Sequence, residues 1–121
     1  MPYKKIFPPS SEKLANKQFK ITYTLKNYIY EGEAVEHQKE LLRHGKGRLT
    51  KQNGNIVYEG QWKMDLPNGW GKFCFFQDHW TYEGYLVDGL FKGHGTIKYK
   101  DSVVYKGEFK NLLLDEFLVN S

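Results

Sequence analysis

The residues of this 121-residue chain that could carry chemistry of their own are four histidines, one cysteine and a set of closely spaced glycines. His37, His44, His79 and His94 are scattered along the chain, so no metal site is expected. Cys74 is the single cysteine, which excludes an intrachain disulfide and a cysteine-based zinc site and makes a reducing compartment the natural default. Gly69-Trp70-Gly71 and Gly93-His94-Gly95 have the close spacing of a phosphate cradle, but the surrounding Walker or dinucleotide pattern is missing. No spacing suggests a nucleophile with its base and acid. The residues therefore give no catalytic site and no cofactor, and the chain reads as a protein that is not an enzyme.

Two other chemistries remain, charge and aromatic surface. The formal net charge is +4, yet residues 1–18 hold Lys4, Lys5, Lys13 and Lys17 against Glu12, a net of +3. The basic character belongs to a Pro-containing tail that can make anionic contacts, and the nearly neutral body argues against nucleic acid as a partner. Aromatics make up 17% of the chain beside 12 glycines, a pairing that suits strands and tight turns. The mean hydropathy of −0.68 marks a polar surface. No apolar run is long enough for a transmembrane span or a secretory leader. The expected location is cytoplasmic.

The elements that would position these groups come from a repeat. Tyr-x-Gly recurs at Tyr30/Gly32, Tyr58/Gly60, Tyr82/Gly84 and Tyr105/Gly107, with steps of 28, 24 and 23 residues between tyrosines. Gly-x-Gly recurs in phase with it at Gly45/Gly47, Gly69/Gly71 and Gly93/Gly95. Each unit holds two runs with a period of two, such as Ile56, Tyr58, Gly60, Trp62 followed by Gly71, Phe73, Phe75. Such alternation predicts strands with one apolar and one polar face. Asn53-Gly54, Gln77-Asp78-His79 and Lys100-Asp101-Ser102 are the expected turns between units. The result is a row of antiparallel hairpins. Its glycines are structural: without a Cβ they leave hollows where neighbouring rings lie flat on the backbone.

The ends and one insertion depart from the pattern. Ile21 stands nine residues ahead of Tyr30 as Leu49 stands ahead of Tyr58, with Lys17 and Phe19 replacing the paired glycines, which predicts a closing half-unit. Residues 112–121 are apolar, with Glu116 and Leu118 where Gly-x-Gly would fall, and are expected to fold back as a cap or to dock elsewhere. The insertion at 35–44 contains good helix formers and reads either as a protruding helical turn or as plain loop.

Tyr58-Glu59-Gly60-Gln61-Trp62 followed by Asn68-Gly69-Trp70-Gly71-Lys72-Phe73 closely resembles the MORN repeat. Tyr82-Glu83-Gly84-Tyr85-Leu86 with Lys92-Gly93-His94-Gly95-Thr96-Ile97 is a second copy. Tyr30-Glu31-Gly32 with His44-Gly45-Lys46-Gly47-Arg48-Leu49 is a third, and Tyr105-Lys106-Gly107-Glu108-Phe109 begins a fourth that never reaches its glycines. The resemblance covers about residues 19–111. It implies an all-β fold, an elongated, twisted single-layer antiparallel sheet of tandem hairpins. It implies a non-catalytic scaffold or structural subunit in a multi-subunit assembly, cytoskeletal or ciliary among the settings, with one or more proteins as partners. It also implies an aromatic groove for a partner peptide, which falls here on Tyr30, Tyr58, Trp62, Tyr82 and Phe109.

Most of that aromatic stripe is expected to serve ring packing. Trp70, Phe76 and Tyr85 alternate onto the other, polar face, where an aromatic group marks a contact surface. The alternative is an adaptor for anionic lipid such as a phosphoinositide membrane, held by Lys4, Lys5, Lys13 and Lys17 and weakened by salt.

Overall fold

The computed structural model describes residues 10–15, 18–75 and 78–112. Lys4, Lys5, Lys17 and Phe76 lie outside them, as does segment 113–121 of the expected C-terminal cap. Nine strands follow one another: β1 Ser10–Ala15, β2 Gln18–Leu25, β3 Tyr28–His37, β4 Glu40–Lys51, β5 Ile56–Lys63, β6 Leu66–Phe75, β7 Trp80–Val87, β8 Leu90–Tyr99 and β9 Ser102–Leu112. Each pairs antiparallel with the next, giving one elongated all-β sheet in sequence order.

Tight turns set this order. Gln38–Lys39, Met64–Asp65, Asp88–Gly89 and Lys100–Asp101 each place two successive residues at positive φ, between 45° and 81°. That is the primed two-residue turn, whose twist suits antiparallel strands. The insertion at 35–44 uses the same device and is neither a helical turn nor a loop. Its extra residues lengthen the two arms of a hairpin, pairing Val35 with Leu42, Glu36 with Leu41 and His37 with Glu40. Ladder bonds and the burial of Leu41 and Leu42 outweigh the helix propensity of the segment.

The N-terminal end also differs from expectation. Residues 10–15, read as part of a tail, form edge strand β1 and pair with β2. In β2 the register lies two residues from the expected one: Tyr23 is opposite Tyr30, and Ile21 is opposite Gly32. The reason is the connection, a two-residue turn at Lys26–Asn27 where β4 and β5 are joined through residues 52–55.

Successive pairings line up Gly32, Gly47, Gly60, Gly71, Gly84, Gly95 and Gly107 in one row across seven strands. The adjoining row on the same face carries Tyr23, Tyr30, Leu49, Tyr58, Phe73, Tyr82, Ile97 and Tyr105. Each of the first three repeat tyrosines leans across the row onto the next strand. A Cβ on Gly71 would run into the Tyr58 ring, and one on Gly47 would run into that of Tyr30. The phenol hydroxyls then donate to main-chain carbonyls three residues on, Tyr30 to Glu33 at 2.6 Å, Tyr58 to Gln61 at 2.8 Å and Tyr82 to Tyr85 at 2.6 Å. A buried ring whose hydroxyl is bonded keeps its hydrophobic gain without a desolvation penalty.

The first glycine of each Gly-x-Gly has a separate task. Between Gly60 and Trp62 on β5 lie fewer residues than between Gly71 and Pro67 on the facing strand, so β6 bulges at Asn68-Gly69-Trp70. Gly69 takes φ of 103° at the bulge, a conformation costly for other residues.

Candidate functional site

The five rings of the expected groove come together, but they are covered. Tyr30, Tyr58, Trp62, Tyr82 and Phe109 are all buried, the most exposed at 7%. Trp62 stands edge-on between Tyr30 and Tyr58, at 5.3 and 5.1 Å, and its Nε1 donates to the Gly47 carbonyl. Phe109 does the same between Tyr82 and Tyr105. These rings form the core of the sheet's apolar face, with Tyr23, Leu49, Phe73 and Trp80 packed around them.

One further position completes the cover, two residues before each Gly-x-Gly. In the third repeat it is Phe91, stacked on Tyr82 with centroids 3.9 Å apart. In the first it is Arg43, whose guanidinium lies 4.5 Å from the Trp62 ring centre and 5.9 Å from that of Tyr30. Its charge is met by Asp65 in the next hairpin's turn, with Arg43 Nε donating to Asp65 Oδ1 at 2.7 Å and a second nitrogen donating to the Asp65 carbonyl. Neither residue stood out in the sequence as a functional group. Aligning the repeats on their glycines would have placed Arg43 with Pro67 and Phe91.

The same turns clasp neighbouring hairpins. The Met64 amide donates to His44 Nδ1 and the Asp65 amide to the Arg43 carbonyl. One unit on, the Asp88 amide donates to Asn68 Oδ1 and the Gly89 amide to the Pro67 carbonyl.

Burial pushes the phenols of Tyr58 and Tyr82 up to about 12, against the smaller opposing influence of their backbone hydrogen bonds. Burial likewise raises the Cys74 thiol, so it is a poor nucleophile.

The polar face holds the accessible features. Glu31, Arg48, Glu59, Lys72 and Glu83 face one another on successive strands, a ladder of alternating charge. Arg48 reaches Glu31 at 3.0 Å and Glu59 at 3.9 Å. Above β1 to β6 this face forms a trough of about 940 Å³, lined by Glu12, Lys20, Glu31, Lys46, Arg48 and Glu59. Three acids and three bases leave it without net charge.

Trp70 borders the trough. Its ring meets that of Tyr85 on the paired strand edge-on at 5.0 Å, and both remain nearly half exposed. The bulge explains why Tyr85 is free to do this. In the first two units the equivalent side chains fill the bulge, Glu33 accepting from the Lys46 amide and Gln61 from the Trp70 amide. Tyr85 has no carboxylate or amide oxygen to place there, and its ring meets that of Trp70 instead. Of the expected anion-binding lysines, Lys13 is the one within the described residues; it is exposed, opposite Phe19 on the edge of the sheet.

Among the described residues no group of histidine, cysteine or acidic side chains could hold a metal ion. No described helix is long and apolar enough to cross a membrane. The family model for the MORN repeat matches residues 42–56, 58–76 and 82–104.

Proposed function

The chain is a MORN-repeat protein, its three tandem matches spanning residues 42–104, and on that premise we propose that it is a non-catalytic scaffold that docks a protein partner on its polar face. The observation that carries this reading is the Trp70–Tyr85 pair, two half-exposed rings in edge contact beside a trough of balanced charge. Exposed aromatic pairs supply large contact area at small entropic loss, and they recur as anchors of interfaces. The alternating charges suit a segment with interspersed acids and bases around an apolar or aromatic residue. A polyanion would meet as much repulsion as attraction there. The scaffold would serve as a subunit of a larger assembly, a cytoskeletal or ciliary one being the setting that the family resemblance suggests.

Purification of complexes from native lysate tests this with the full chain, a chain lacking residues 1–9, and a Trp70→Ala/Tyr85→Ala double variant. A stoichiometric protein retained by the truncation and weakened at least about tenfold by the double variant supports the reading. Binding that resides in anionic vesicles, requires residues 1–9 and disappears at high salt would replace it with the lipid reading. Both aromatic residues are nearly half exposed, so the double variant is expected to keep its fold, which thermal unfolding checks.

A further inference from the structure

Among the described residues the fourth repeat has one strand, β9, and the consequences are visible there. Tyr105 is built like the repeat tyrosines before it. Its hydroxyl donates to the carbonyl three residues on, Glu108, at 2.9 Å, and Phe109 stands edge-on against its ring. Yet Tyr30, Tyr58 and Tyr82 are at most 1% exposed, whereas Tyr105 is 45% exposed and Val103 and Val104 more than half. Each of the other three tyrosine strands is followed by a described glycine strand, β4, β6 or β8. Among the described residues no strand lies beyond β9.

Gly107 carries the same mark. At Gly32, Gly60 and Gly84 a Cβ would collide with the glycine backbone of the following strand. At Gly107 the nearest atoms to such a Cβ are those of the Tyr105 ring, and no described strand lies on its far side.

We propose that the free edge of β9 accepts an antiparallel strand from a partner protein, one that carries Gly-x-Gly followed two residues later by an apolar residue. The repeat itself specifies this occupant. Gly45/Gly47/Leu49, Gly69/Gly71/Phe73 and Gly93/Gly95/Ile97 are the three instances within the chain, each laid beside a Tyr-x-Gly strand. The chain's own next residues do not match. At the repeat spacing Glu116 and Leu118 fall where the two glycines belong, and a leucine side chain would occupy the space under the Tyr105 ring. The clasp that ties each hairpin turn to the previous unit is also altered, because the residue that accepts from the turn, His44 and then Asn68, becomes Lys92, which has only donors. A strand arriving from another molecule needs no such turn. Main-chain bonds to β9 give it affinity, and the glycines that let Tyr105 lie flat give it specificity.

This site is separate from the polar-face rings and is tested separately. The probe is a synthetic peptide with the sequence of β8, residues 90–99, added to the full chain while amide exchange is followed. The expected result is saturable binding with slowed exchange in β9. A Gly95→Val peptide should bind at least about tenfold more weakly, as should the native peptide to a Tyr105→Ala chain. Binding should be unchanged on a Trp70→Ala chain, so that failure here and failure of the polar-face reading are told apart. The proposal is overturned by absence of saturation at about 1 mM peptide, by equal affinity of the Gly95→Val peptide, or by protection that appears on β1 instead of β9.

Discussion

The slots above Tyr30 and Tyr82 do the same job with opposite chemistry. Over Tyr82 lies Phe91, parallel and 3.9 Å away, an apolar ring that needs no partner. Over Tyr30 lies Arg43, a flat cation held by Asp65 from the next hairpin. What the repeat demands at this position is a group that keeps water off the tyrosine. A guanidinium can meet that demand because its plane stacks on aromatic faces, but its charge then has to be paired where little water reaches. The first repeat thus depends on its neighbour's turn in a way the third does not.

That difference is open to mutation. Phe91→Ala should cost about 3–5 kcal/mol, because it empties a packed slot against both Tyr82 and Phe109. Asp65→Ala should cost about 3 kcal/mol by removing the carboxylate that meets the buried Arg43 charge. The double variant Arg43→Leu/Asp65→Ala should recover most of that loss, to within about 1 kcal/mol of the parent, since an apolar side chain restores the cover without a charge. Denaturant unfolding measures all three. An Asp65→Ala chain as stable as the parent would show that the cation does not depend on the carboxylate.

The tyrosines report the cover more gently. The folded phenols of Tyr58 and Tyr82 titrate near 12, above the ordinary value near 10 for an unfolded chain. A raised folded value means stability that is fully present below about pH 10 and is lost as pH climbs from about 10 to about 12, where the unfolded chain ionises first. The melting temperature should fall across that window. Phe91→Ala should let Tyr82 ionise earlier and leave Tyr58 as it was, which phenolate absorbance of single Tyr→Phe variants would resolve. If Phe91→Ala moves neither phenol, the slot residue does not control water access to the ring.

How far these features could be read from the sequence depends on what each residue had to do. The strands from β5 to β9 were legible because Ile56, Tyr58 and Trp62, or Val103, Tyr105 and Phe109, alternate with polar residues in phase with the glycines. The 35–44 hairpin was not, since Glu36, Lys39, Glu40 and Leu41 favour helix when taken alone and only their cross-strand partners overrule them. Strand β1 has almost no apolar pattern and is held by pairing with β2. The aromatic groove was expected from the resemblance to the MORN repeat. Its five rings are buried because they pack over glycines and against one another, with Arg43 beside Tyr30 and Phe91 beside Tyr82, a cover that repeat alignment would have shown. The polar-face placement of Trp70 and Tyr85 followed from alternation alone.

Two arginines on one strand give the finest version of the comparison. Arg43 and Arg48 both belong to β4, and their odd spacing puts them on opposite faces, since the bulge at Gly45 adds two residues and leaves the alternation in phase. Arg43 is paired among rings, whereas Arg48 and its partner Glu31 are each about half exposed. In water the attraction between Arg48 and Glu31 is offset by the entropy of holding two long side chains, and Glu59 stands ready as a second partner. Glu31→Gln should therefore cost about 0.5 kcal/mol or less at low ionic strength and nothing measurable at high salt. The loss in Asp65→Ala should persist at any salt, because the buried pair is little screened. A Glu31→Gln cost that rivals Asp65→Ala and survives salt would mean that the charge ladder of the polar face, and not only the ring stack beneath it, holds the sheet together.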